Sequence, residues 1–155
     1  VETILKNKLN GAWNVFDALS PRDVHDLLKL RQDVFMLEQD CLFPEIDGKD
    51  PDTEHYFLRD AESGALAGAI RLSSSGDGAI RIGRVVVAQS HRGLGLGRDL
   101  MLAGMEKARQ IAPTGEVHLS AQAHLEKFYA SLGFRTVSEV YLEDDIPHID
   151  MIAAL

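Results

Sequence analysis

Arg92-Gly93-Leu94-Gly95-Leu96-Gly97-Arg98 is the stretch of this 155-residue chain best equipped for chemistry. It follows a β-branched run, Val85, Val86 and Val87, and opens into an amphipathic segment. Glycine lets a backbone approach a ligand closely. The unpaired N–H groups of a first helical turn then point at that ligand, and the helix dipole favours negative charge. The expected ligand is therefore a phosphate-bearing molecule held by peptide nitrogens. The lysine of the nucleotide-binding P-loop is missing. The dinucleotide fingerprint fails in both registers, because Arg98 or Leu100 stands where its last glycine should be. What remains is Arg-x-x-Gly-x-Gly after a valine strand.

Groups able to move a proton come next. Histidine has the ordinary pKa suited to that task near neutrality. His55 follows an acidic loop at a strand start, and His148 lies in the last strand-like segment. His25, His91, His118 and His124 have no metal-like spacing with an acid or thiol, so no metal is expected. Cys41 is the single cysteine, which excludes an internal disulfide and fits a cytoplasmic protein. No nucleophile signature surrounds it.

Charge is unevenly distributed. The formal net charge of −8 argues against nucleic acid or a membrane as partner. From Gly78 to Arg98 there is no acid, while Arg81, Arg84, Arg92 and Arg98 are present. Glu38, Asp40, Glu45, Asp47, Asp50, Asp52 and Glu54 crowd the segment 38–54 against Lys49 alone. A polyanionic donor suits the basic island; a cationic acceptor, such as an amine, suits the acidic segments, unless these are solvated loops.

The elements that position these groups read as follows. A strand-like run lies in 11–18, around Trp13, Val15 and Phe16. Ser20-Pro21-Arg22-Asp23 is a helix start, and Val24, Leu27, Leu28, Arg31, Val34 and Phe35 carry helical spacing to about Glu38. Arg31 sits on that apolar stripe, either extended to water or paired with a buried acid. Strands are expected over 56–61, 65–72, 79–88, 117–121, 134–142 and 148–153. The Val85–Val87 run suggests a strand covered on both faces. A helix follows the glycine turn with Leu100, Met101, Ala103, Gly104, Ala108 and Ile111 inward, and a short one spans 122–132. Length and composition fit a single domain over 1–155.

The glycine turn resembles motif A of the GNAT acyl-CoA N-acyltransferases, and Phe128-Tyr129-x-x-x-Gly133-Phe134 resembles the end of that family's motif B. Leu30-Arg31-Gln32-Asp33-Val34-Phe35, Asp47-Gly48-Lys49-Asp50, Ser120-Ala121-Gln122-Ala123-His124 and Ile146-Pro147-His148 are similar to the ElaA-like branch. The resemblance implies an α/β GNAT fold: a mixed, mostly antiparallel sheet of six to seven strands with helices on both faces. It implies acetyl-CoA as acyl donor, with its diphosphate on Arg92, Gly93, Leu94, Gly95, Leu96, Gly97 and Arg98 and its pantetheine arm on the Val85, Val86 and Val87 backbone. Gln122 stands where family members commonly carry an asparagine. Tyr129 matches the tyrosine that meets the coenzyme sulfur and can protonate the leaving thiolate. Glu38 falls where a GNAT acceptor pocket lies, so Glu38 or His55, through water, is the expected base. The acceptor is then an amine on a small molecule or peptide, and a homodimer is left open. A binding or sensing module for acyl-CoA is the rival reading. Arg31, Val34, Phe35, Asp47, Asp50 and Arg71 also resemble acyl-homoserine-lactone synthases.

Overall fold

The computed structural model describes residues 8–155. Its strands are β1 (Leu9–Val15), β2 (Glu54–Asp60), β3 (Leu66–Ser74), β4 (Ala79–Val87), β5 (Glu116–Gln122), β6 (Arg135–Thr136), β7 (Tyr141–Glu143) and β8 (Ile146–Ala154). Its α-helices are α1 (Pro21–Arg31), α2 (Leu96–Ile111) and α3 (Glu126–Ala130). The eight strands form one sheet in the order β1-β2-β3-β4-β5-β8-β6, with β7 also on β8. β1 and β2 are antiparallel, as are β5 and β8, whereas β4 and β5 run parallel over Ala79–Arg81. The mixed, mostly antiparallel sheet is as expected, with eight strands among the described residues rather than six or seven.

The extra strand comes from a break in the expected 134–142 segment. Val137 still donates its N–H to Asp150 O at 2.9 Å, but the Asp150 N–H goes to the Ser138 hydroxyl at 2.8 Å. A hydroxyl takes over a carbonyl's role in the ladder, so β6 and β7 pair with separate parts of β8.

Contacts divide the chain into two compact units, the first holding residues up to Arg71 with Arg84–Ala103, the second Leu72–Gly83 with Gly104–Leu155. In the first, Ser20 caps α1: its hydroxyl accepts from Asp23 N while Asp23 accepts from Ser20 N. Leu27, Leu30 and Val34 pack with Phe57, Leu66, Ala69 and Val86. The helix continues past Arg31 as predicted, but as a π-helix over Gln32–Glu38. Gln39 N donates to Val34 O and Cys41 N to Met36 O, both five residues back. Such widened turns are frequent at functional sites.

In the second unit β5 buries Val117, Leu119 and Ala121, and β8 buries Ile149, Met151 and Ala153. That is the period of two of a pleated strand. On α2, Met105 joins the buried residues and Ile111 does not, being 40% exposed. No helix among the described residues is long and apolar enough to cross a membrane.

Candidate functional site

The glycine turn connects β4 to α2 through a short 3₁₀ turn at Gln89–His91. Gly93 and Gly95 have φ of 81° and 72°. An L-residue reaches that region at a cost of roughly 1–2 kcal/mol, so the two glycines are what allows this path. A Cβ at Gly93 would meet no atom within 4 Å. The outer side of the turn is open, as a close-bound anion requires. The first N–H groups of α2 lack intrahelical acceptors. Turn and helix start therefore fit a diphosphate. Arg98 is exposed beside them.

β4 departs from the expected strand. Val86 is buried, but Val85 and Val87 are half-buried, so the run is not covered on both faces. Arg84, immediately before it, has φ 50°. A non-glycine residue in the left-handed region inside a strand is strained, and such strain collects at ligand sites. Composition gives no sign of it, and Arg84 was legible only as one of four arginines in the basic island.

Arg84 belongs to a network of three arginines and three acids. Arg31, fully buried, donates from Nε to Glu45 Oε1 at 2.5 Å and from Nη1 and Nη2 to Asp50 at 2.9 and 3.0 Å. Arg71 donates to Asp47 at 2.6 and 3.0 Å and to Asp50 at 3.1 Å. Arg84 faces Glu45 at 3.1 Å and Asp47 at 3.3 Å, its guanidinium 5.7 Å from the Phe43 ring centre. Arg31 thus pairs with buried acids rather than reaching water. The hydrogen bond from Arg71 holds Asp47 far below the usual carboxylate range against its partial burial. Burial would raise the Asp50 carboxyl, yet Arg31 and then Arg71 bring it below the ordinary value. This corrects one expectation: Glu45, Asp47 and Asp50 are already neutralised by arginines and do not wait for a cationic acceptor.

His55 attaches to that network. It is 1% exposed, and its Nε2 lies 3.0 Å from both Thr53 Oγ1 and Asp50 O. Burial pushes its pKa below the ordinary value. An imidazole enclosed in this way could reach an acceptor only through water. Glu38, the last residue of the π-helix, accepts from Arg92 Nη1 at 2.7 Å, and this bond lowers its pKa. The fold thus joins Glu38 to the glycine turn through Arg92 and leaves His55 with the arginine network.

Gln122 and Tyr129 lie in the second unit. Gln122 ends β5 opposite His148 in register. Tyr129, 7% exposed, sets its ring edge-on to Phe128 and Phe134, at centroid distances of 5.0 and 6.0 Å. Burial pushes its phenol up to about 12, so it keeps its proton at neutral pH. His148 is committed: Nδ1 lies 2.7 Å from Ile146 O and Nε2 lies 3.3 Å from Glu143. Among the described residues no group of three or more His, Cys, Asp or Glu side chains could hold a metal.

Comparison with known proteins agrees with this geometry. The Acetyltransferase (GNAT) domain matches residues 30–155. Protein ElaA of Escherichia coli is 40% identical over 135 residues, covering 86% of this chain and 88% of its own. A UPF0039 protein of Schizosaccharomyces pombe is 38% identical over 146 residues, covering 94% of this chain and 97% of its own. Among solved structures, an acyl-CoA N-acyltransferase from Pseudomonas aeruginosa superposes with a TM-score of 0.88 at 41% identity, covering 94% of this chain and 99% of its own. Escherichia coli ElaA gives 0.86 at 37% identity, covering 94% and 99%. With an open glycine turn between a valine strand and a helix, and matches of this extent, the chain belongs to the GNAT acetyltransferase family, in its ElaA-like branch.

Proposed function

We propose that the protein transfers an acyl group, acetyl in the first instance, from acyl-CoA to a primary amine on a small molecule or peptide. The open turn at Gly93–Gly97, with left-handed glycines leading into α2, is the observation that carries this reading. In it, the diphosphate of the donor lies on the amides of Gly93, Leu94, Gly95, Leu96 and Gly97. Arg92 and Arg98 add charge, and the Val85–Val87 backbone and Gln122 contact the rest of the donor. A thioester is already activated, so no covalent enzyme intermediate is needed. The neutral amine attacks the acyl carbon, the new C–N bond forms, the C–S bond breaks, Tyr129 gives its proton to the thiolate, and the proton shed by the amide nitrogen passes through water to restore the Tyr129 hydroxyl. Backbone N–H groups beside a developing oxyanion are worth about 3–4 kcal/mol each in comparable sites. His55 is not part of this proposal, because it is enclosed and bonded to Asp50 and Thr53.

Calorimetric titration with coenzyme A tests the reading. Wild type is expected to bind. Gly95→Val forces a β-branched residue to φ 72°, and the strain of ~1–2 kcal/mol either re-forms the turn or unseats its amides. Coenzyme A affinity should fall about tenfold, the equivalent of 1.4 kcal/mol. Absence of binding to wild type, or equal affinity in Gly95→Val, refutes the placement.

A further inference from the structure

Arg92 has two occupations that compete. Its guanidinium donates to Glu38 Oε2 at 2.7 Å and to Val87 O at 3.2 Å, which ties the end of β4 to the end of the π-helix across 54 residues of sequence. It is also the residue directly before Gly93, where the proposed donor diphosphate sits. Both side chains of the pair are more than a third exposed, 39% for Arg92 and 37% for Glu38. Exposed pairs of this kind are weak. A phosphate offers the guanidinium a more highly charged partner with matching fork geometry.

Resting on the donor reading above, we infer that donor binding draws Arg92 from Glu38 to the diphosphate and thereby uncovers the Glu38 carboxylate as the group that receives a cationic acceptor amine. Three acids of the loop that follows do not take this role. Glu45, Asp47 and Asp50 are bound by Arg31, Arg71 and Arg84. Among the described residues, Glu38 combines placement on a π-helix with a bond to the glycine turn. Before the donor arrives, the Glu38 charge is neutralised and an amine gains little by binding. Afterwards the exposed carboxylate attracts an ammonium, whose proton must leave before attack. The acceptor class follows: amines carrying positive charge at the pH of binding, taken up after the donor.

A double-mutant cycle on coenzyme A affinity separates this exchange from a plain field effect. Glu38→Gln removes the competitor for Arg92, so coenzyme A should bind about two- to fivefold more tightly, the range an exposed pair supports. In an Arg92→Gln background the same change should have no effect. Equal tightening in both backgrounds means simple repulsion between carboxylate and phosphate, and no tightening means that Arg92 never leaves; either result overturns the exchange. The acceptor half is tested by thiol release with spermidine, glycine and glutamate. Spermidine should react best, and Glu38→Gln should raise the KM for spermidine about fivefold or more while tightening coenzyme A. Merely structural damage would weaken both. A preference for glutamate, or an unchanged KM for spermidine, overturns this half. Failure of wild type to bind coenzyme A would instead remove the donor reading itself.

Discussion

Replacing Arg31 with alanine is expected to lower the unfolding free energy by about 3–5 kcal/mol, the range for removing one partner from a buried charge network. The reason lies in what stays behind. Glu45 and Asp50 are 5% exposed, and both lean on the Arg31 guanidinium. Glu45 Oε2 already has no hydrogen-bond partner, so the deletion leaves the carboxylate still less satisfied. Arg31→Lys should fall between, because an ammonium keeps the charge but cannot reach Glu45 and Asp50 with one planar fork. Urea unfolding measures the difference, and a loss under about 1 kcal/mol would mean the network is solvated rather than buried.

The pH dependence gives a second check on that result. In wild type the Asp47 and Asp50 carboxyls titrate below their ordinary values. Their stabilisation is complete above the unfolded pKa of about 3.9 and is lost as pH falls through the folded values. His55 adds an earlier effect of the same sign: its folded pKa is depressed, so its contribution declines below the unfolded value of about 6.5. Without Arg31, only Arg71 is left to oppose burial at Asp50, so its pKa rises above the wild-type value and acid costs the variant less than it costs wild type. The gap between the two should therefore narrow from pH 7 to about pH 4. A constant gap would assign the loss to packing alone.

The second large effect is expected at Tyr129. Tyr129→Phe should reduce kcat about 100-fold, the lower end of what positioned proton transfer supplies, with coenzyme A affinity changed less than twofold. The ring is retained, so the edge-on contacts with Phe128 and Phe134 survive. Only the hydroxyl is lost, and that hydroxyl is protonated at neutral pH. A group that acts on the departing thiolate affects the transition state more than the bound donor. Slowed thiol release with intact binding is thus the signature, read by pre-steady-state assay and calorimetry. An unaltered rate in Tyr129→Phe would leave the tyrosine as a core residue, and a protein that only binds acyl-CoA would show no thiol release in either form.

The strand, glycine turn and helix start were legible because they are contiguous. Valine strand, glycine turn and helix start occupy one run of chain, and local preference forms each of them. The Ser20 cap and the alternation along β5 and β8 were equally local. The Ser138 substitution in the ladder was hidden, since a hydroxyl that replaces a carbonyl depends on where Asp150 comes to rest.

Arginine commitments were decided by tertiary structure. Sequence placed Arg31 on an apolar stripe and left two fates open; the fold chose acids 14 and 19 residues away. It spent Glu45, Asp47 and Asp50 on Arg31, Arg71 and Arg84, and it brought Glu38 to Arg92. Backbone preference acts between neighbours, so a sequence can specify a strand, a turn and a cap by itself. An ion pair needs two charges from distant positions within ~4 Å and a shared loss of water, and only the folded chain settles which acid meets which base.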